Sequence, residues 1–276
     1  MKPAPFAYHQ PTEIQQISAV LAQADQSSKI LAGGQSLGPM LNLRLAQPGR
    51  LIDITRIPSL KTVEQSARGV ILGACVTHAN IEDGCVPGRI GEVLAEIARG
   101  IAFRAVRNRG TIGGSLAHAD PSADWVTTLM ALDAELGIRG SSGLRWRPLA
   151  GTMRGPFDIG LAADEWIESI RIPHIASSSV WSYAKLARKT GEFAHAMVAL
   201  LHEPPKSTLR MVFGATEAAP VVINCADDLI TGRDISGLTS LAEAQLRAAG
   251  LLDTLDNQVR LAVMQRTVLK AKQSRH

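Results

Sequence analysis

The sequence is poor in aromatics, in cysteine and in long apolar runs, and each shortage removes a class of function. Phe, Trp and Tyr make up 4% of the 276 residues, too few to build stacking platforms for single-stranded nucleic acid. Cys75, Cys85 and Cys225 are the three cysteines, widely spaced and without a Cys-x-x-Cys pair. They read as reduced structural thiols, not as a disulfide or a metal centre. With no such pair and no matching His spacing, this chain supplies no iron–sulfur cluster of its own. No apolar stretch reaches the length of a membrane span, about eighteen residues. Residues 1–5 carry no apolar secretory segment, which makes the cytoplasm the expected location. The net charge of +4 comes from scattered Lys and Arg, so there is no basic tract to mark a nucleic-acid partner.

What is present is an ordinary globular composition, 46% apolar and 20% charged, with enough chain for one large domain or two to three small ones. Thr12, with Gln15 three residues on, reads as a capping box for a helix carrying Ile14, Ile17, Val20 and Leu21 on one face. Strands are expected over 28–32 and 51–54, giving a small βαβ unit at the start. A second block holds a strand at 70–73, helices over 90–98 and 123–132, and strands at 134–138 and 166–172. After the polar run at 177–179 the texture changes to three antiparallel strands, 180–187, 194–200 and 209–214, and two amphipathic helices, 238–249 and 257–271. This gives domains over 1–176 (subdomains 1–58 and 59–176) and 177–276.

Two glycine pairs stand out. Ala32-Gly33-Gly34-Gln35-Ser36 follows the apolar Ile30-Leu31 and runs on into Leu37, and Thr111-Ile112-Gly113-Gly114-Ser115 follows the basic stretch 104–109. Glycine permits positive φ and lets a ligand approach the backbone closely. Successive N–H groups in such turns form anion-binding concavities, with Ser and Thr hydroxyls as further donors. Neither pair is a G-x-G-x-x-G fingerprint, and neither is a phosphate loop followed by Lys and Ser or Thr. Either alone reads as a tight turn closing a strand. Together they point to a long ligand with a diphosphate in its middle.

The flanks carry a resemblance. Residues 31–45 read Leu-Ala-Gly-Gly-Gln-Ser-Leu-Gly-Pro-Met-Leu-Asn-Leu-Arg-Leu. Residues 106–124 read Val-Arg-Asn-Arg-Gly-Thr-Ile-Gly-Gly-Ser-Leu-Ala-His-Ala-Asp-Pro-Ser-Ala-Asp, and residues 183–192 read Tyr-Ala-Lys-Leu-Ala-Arg-Lys-Thr-Gly-Glu. Over essentially its whole length the chain resembles the FAD-binding (medium) subunits of molybdenum hydroxylases, the xanthine dehydrogenase and carbon monoxide dehydrogenase family. The resemblance implies an α+β fold with a PCMH-type (vanillyl-alcohol oxidase-like) FAD-binding domain of two subdomains. It also implies a C-terminal domain of a three-stranded antiparallel sheet with helices.

By that resemblance FAD is bound by Ile30, Leu31, Ala32, Gly33, Gly34, Gln35, Ser36 and Leu37 on one side of the diphosphate. Thr111, Gly113, Gly114 and Ser115 hold the other side, with His118 and Asp120 close by. Asp124 matches a carboxylate on the adenine ribose or a nearby backbone group. Ile101 and Ala102 match a stretch packed on the cofactor, Ile167 a residue beside the flavin or adenine, and Lys185 a lysine close to it. Phe193 stands where many relatives have a tyrosine beside the flavin ring, and Phe103 where many have a histidine; a phenylalanine still stacks but donates no hydrogen bond.

Each position also has a plainer use: Asp124 as a helix cap, Lys185 as an exposed snorkelling side chain, Ile167 as core. His118 and Asp120 read as structural hydrogen bonders, and Arg44, Arg104, Arg107 and Arg109 as solvated or inter-subunit charges. The implied partners are a large subunit with the molybdenum cofactor and a small subunit with 2Fe-2S clusters, in a dimer of heterotrimers. Electrons reach FAD from the clusters and leave to an external acceptor. The alternative is a stand-alone flavin-dependent oxidase or reductase of the vanillyl-alcohol oxidase superfamily. It would need a substrate domain for which the hundred or so residues after 177 leave little room.

Overall fold

The structure is a computed structural model that describes residues 2–22, 27–226, 230, 235–251 and 255–274. The chain begins with β1 (Ala7–His9), α1 (Ile14–Ala22), β2 (Ser28–Leu31), α2 (Leu37–Asn42) and β3 (Arg50–Asp53). Its three strands form a parallel sheet in the order β1-β3-β2. Ile17 and Leu21 of α1 pack with Ile52, Ile54, Ile57 and Leu60 to form its core. The helix starts one residue later than the capping-box reading requires. Gln16, not Gln15, therefore reaches back, its Oε1 accepting from the N–H groups of Thr12 at 2.9 Å and Glu13 at 3.3 Å.

The middle block runs β4 (Val63–Ser66), β5 (Gly69–Gly73), α3 (His78–Glu82), α4 (Gly88–Arg99), α5 (Arg104–Arg107), α6 (Ile112–His118), α7 (Asp124–Ala131), β6 (Glu135–Gly140), β7 (Gly143–Pro148) and β8 (Trp166–Ile172). The strands make an antiparallel sheet ordered β4-β5-β8-β6-β7. β8 lies at its centre and is buried on both faces. Trp166 joins the core of the parallel sheet, while Ile167, Ile170 and Ile172 join the large central core with α4, α6 and α7.

The last block is a four-stranded antiparallel sheet, β12-β11-β10-β9, made of β9 (Val180–Leu186), β10 (Ala196–Glu203), β11 (Thr208–Gly214) and β12 (Val221–Ala226). Three strands were expected; Val221, Val222 and Ile223 add the fourth by pairing with β11. Helices α8 (Ser236–Ala248) and α9 (Leu255–Gln273) cover one face. β10 shows the two-residue period of a sheet between two layers: Val198 and Leu200 point to those helices, and Ala199 and Leu201 to the central core. That second face lays β10 and β11 against α7 and brings Tyr183 and Lys185 of β9 to its first residue, Asp124; the site is built there.

Candidate functional site

β2 opens at its carboxyl end into residues 32–36. Leu31 lies in register with Asp53 of β3, whose carboxylate is tied down by the Thr55 N–H (2.9 Å) and hydroxyl (2.6 Å), the Tyr8 hydroxyl (2.5 Å) and Gln10 Nε2 (3.0 Å). Burial pushes the Asp53 carboxyl up, but the hydrogen bonds from Thr55, Tyr8 and Gln10 outweigh it and hold it below its usual range. This fixes the strand ends from which the glycine turn departs. Gly34 has φ +70°, the left-handed region that favours glycine, and its carbonyl accepts from Gly38 N–H at 2.8 Å. Ser36 precedes α2, yet its hydroxyl makes no capping bond. Among the described residues, the N–H groups of Gly33, Gly34, Gln35 and Ser36 donate to no backbone carbonyl. Four successive amides without such a partner are what an anionic ligand uses.

The second glycine pair is built differently. It forms the first turn of α6, not a loop, because Thr111 caps the helix and its Oγ1 accepts Gly114 N–H at 3.1 Å. The N–H groups of Ile112, Gly113 and Ser115 donate to Val76, Ala74 and Thr111 carbonyls at 3.0 Å each. A Cβ on Gly113 would lie 2.5 Å from the Ala74 Cβ, so packing demands glycine there. The two segments meet. A Cβ on Gly33 would lie 2.1 Å from the Arg109 carbonyl oxygen and 2.7 Å from Gly110 Cα, and one on Gly114 would lie 3.5 Å from Ala32 Cβ.

A second cluster gathers at the start of α7. Lys185 Nζ, on β9, lies 2.8 Å from Asp124 Oδ1 and donates to the Gly100 carbonyl at 3.0 Å. The Tyr183 hydroxyl donates to the same Asp124 oxygen at 2.7 Å. Burial, then the Asp124 charge, raises the Tyr183 phenol well above its usual value. Asp124 is 8% exposed, and Ala123 is the cap of α7, so the capping use is not realised. Nor does Lys185 snorkel into water: its side chain is 16% exposed and paired.

Between the clusters runs the segment holding Ile101 and Ala102. Arg107 Nη1 donates to both carbonyls, at 2.9 and 3.0 Å, and its Nε and Nη2 pair with Glu82 at 2.7 and 3.0 Å. Arg107, 9% exposed, is thus a buried clamp and not a solvated charge. Arg104 is exposed but pairs with Glu82 and Asp83. Hydrogen bonding from Arg107 and Arg104 holds the Glu82 carboxyl below its usual range. Ile101 bridges to Gly191, where φ is +86° and a Cβ would lie 2.8 Å from the Ala102 carbonyl oxygen. Phe103 and Phe193, 74% and 64% exposed, each follow this parallel bridge by two residues.

Ile167 is buried in the central core, its plainer use. Asp120 accepts from Ser122 N–H at 2.9 Å, a local turn; His118 makes a tilted ring contact with Phe157 at 5.1 Å. Sequence reasoning missed His78, Glu82 and Tyr183. His78 is buried, donates its backbone N–H to the Gly110 carbonyl at 2.9 Å, and accepts Trp125 Nε1–H at Nδ1 at 3.0 Å.

Comparison with known proteins bears on the family and the fold. The FAD binding domain in molybdopterin dehydrogenase matches residues 4–175. The carbon monoxide dehydrogenase medium chain of Hydrogenophaga pseudoflava is 38% identical over 225 residues, 81% of this chain and 78% of that protein. The nicotine 6-hydroxylase medium subunit of Paenarthrobacter nicotinovorans is 33% identical over 254 residues, 91% of this chain and 89% of that protein. Solved structures match end to end. Quinoline 2-oxidoreductase from Pseudomonas putida 86 has a TM-score of 0.86 at 32% identity, covering 100% of this chain and 99% of that one. Carbon monoxide dehydrogenase from Hydrogenophaga pseudoflava lacking the Mo-pyranopterin moiety has a TM-score of 0.85 at 30% identity, with the same coverage.

Proposed function

This chain belongs to the family of FAD binding domains of molybdopterin dehydrogenases, and from that premise we propose that it is the FAD-carrying, electron-transferring subunit of a molybdenum-containing hydroxylase. The observation that carries the reading is the run of amides from Gly33 to Ser36 without a backbone partner, set at a strand end and seated on residues 109–110. Those amides and the Ser36 hydroxyl hold the diphosphate of FAD, with Ile30, Leu31, Ala32 and Leu37 beside the adenosine portion. Gly114 and the Ser115 hydroxyl face the diphosphate from the other segment, where Thr111 and Gly113 shape the backbone. Asp124, held by Lys185 and Tyr183 through one oxygen, offers its other oxygen to a ribose hydroxyl. Ile101 and Ala102 pack on the cofactor, Lys185 lies close to it beside Asp124, Phe193 stands at the flavin ring, Ile167 backs the wall, and His118 and Asp120 sit at the rim.

Bound FAD supplies stepwise transfer of single electrons, which no side chain here provides. The chain binds and orients it, and an external acceptor takes the electrons away. They arrive from 2Fe-2S clusters on a small partner subunit, fed by a large subunit with the molybdenum cofactor, in a cytoplasmic dimer of heterotrimers. The cysteines support this division: Cys75, Cys85 and Cys225 are widely spaced without a Cys-x-x-Cys pair, and burial pushes the Cys75 thiol up to about 12, leaving it inert. Among the described residues no helix is long and apolar enough to cross a membrane.

The test is the absorption spectrum of the purified chain after incubation with FAD and gel filtration. Flavin bands that co-elute with the lone chain, iron–sulfur absorbance added only in the complex isolated from its host, and no substrate turnover by the lone chain are the expected results. A colourless chain refutes the reading, and turnover by the lone flavoprotein replaces it with a stand-alone oxidase.

A further inference from the structure

We infer that His78 is a positioning residue that joins the two halves of the cofactor site, holding Gly110 on one side and Trp125 on the other. The inference rests on the FAD reading above and adds a regulatory feature to it. His78 opens α3 behind the Thr77–Asn80 capping box, which fixes its backbone. Its N–H holds the Gly110 carbonyl at 2.9 Å. Its ring fills the space beside Gly110, where a Cβ would lie 2.8 Å from Cδ2 and 2.9 Å from Nε2. Gly110 in turn abuts Gly33 of the amide turn. On the other side Nδ1 accepts the indole N–H of Trp125 at 3.0 Å. Trp125 is fully buried and directly follows Asp124, the partner of Lys185. One imidazole thus links the amide turn to the Asp124–Lys185 cluster.

The link works only with a neutral ring. The indole N–H assigns the ring proton to Nε2. A second proton would turn Nδ1 into a donor facing a donor. The charged groups around the ring are Arg107 on α5, its partner Glu82 at the end of α3, and the Asp124–Lys185 pair beyond Trp125. Burial, and then the Arg107 charge, lowers the His78 pKa from 6.5 to about 4. The folded value lies below the unfolded one. The arrangement therefore keeps its full strength above pH 6.5 and weakens as pH falls from there toward 4.

The experiment compares wild type, His78→Asn and His78→Leu as full-length chains. Asn places an acceptor where Nδ1 stood but does not titrate; Leu leaves the buried indole N–H without a partner. Three quantities are read: FAD affinity by flavin fluorescence quenching at pH 7.5, amide-exchange protection of residues 110–114 in the chain without added FAD, and the urea midpoint of that chain from pH 7.5 to 4. At pH 7.5 His78→Leu is expected to bind FAD about tenfold or more weakly and to lose protection at 110–114. His78→Asn stays within about threefold of wild type in affinity, and its urea midpoint lacks the part of the wild-type decline that sets in below pH 6.5. Superimposable pH profiles for wild type and His78→Asn overturn the inference, as does unchanged protection in His78→Leu. Should His78→Leu fail to fold, the Asn comparison still decides. A wild-type chain that binds no FAD refutes the flavin reading alone, because protection at 110–114 remains measurable.

Discussion

The two glycine segments look alike in sequence and are opposite in structure. In residues 33–36 the amides donate to no backbone carbonyl among the described residues, and Gly34 is needed for its positive φ. In residues 111–115 the amides of Ile112 to Ser115 already have partners, and Gly113 is needed because Ala74 leaves no space for a Cβ. The first segment offers hydrogen bonds; the second is a packed helix start on which the first leans. A pair of glycines therefore says that backbone comes close to something, and only the fold says whether that is a ligand or the protein itself.

The sharpest way to break this contrast is at the contact between them. Gly33→Ala puts a methyl group 2.1 Å from the Arg109 carbonyl, so the segments must part. We expect a loss of about 3 kcal/mol, the upper range for overpacking, read by urea denaturation, together with loss of flavin binding. Thr111→Val has a smaller effect. It deletes the acceptor of Gly114 N–H while keeping the side-chain shape, and costs about 1 kcal/mol as a lost cap, a fall of roughly 2–4 °C in Tm. The smallest effect on stability is expected for Ser36→Ala. Its hydroxyl caps nothing, so stability should stay within about 0.5 kcal/mol while FAD affinity falls. A stability loss from Ser36→Ala comparable to that from Thr111→Val would mean that the first segment is as self-contained as the second.

Much of the architecture was legible because apolar pattern and punctuation agree. Residues 166–172 form β8 as expected, and the strands after 177 fall where their apolar runs stand. Three of the strands that were missed have a sequence that carries no pattern. Ala7–His9 is exposed throughout, and Val63–Ser66 and Gly143–Pro148 have no buried residue; pairing with a neighbour alone makes them strands. At the site, the glycine motifs and Asp124 and Lys185 were readable from family likeness. What fixes them was not: the Lys185–Asp124 pair spans 61 residues and Tyr183 reaches the same carboxylate across 59. Of three nearby arginines, only Arg107 turns inward. That choice depends on Glu82, 25 residues away, and no local spacing announces it.

The parallel bridge between Ile101 and Gly191 makes the polar run near 177 a poor place to cut. A fragment ending there would keep both glycine segments but lose Lys185, leaving the Asp124 carboxylate buried without its counter-charge and the Gly100 carbonyl without its donor. Separate expression of the two lengths should give one insoluble piece and one colourless one.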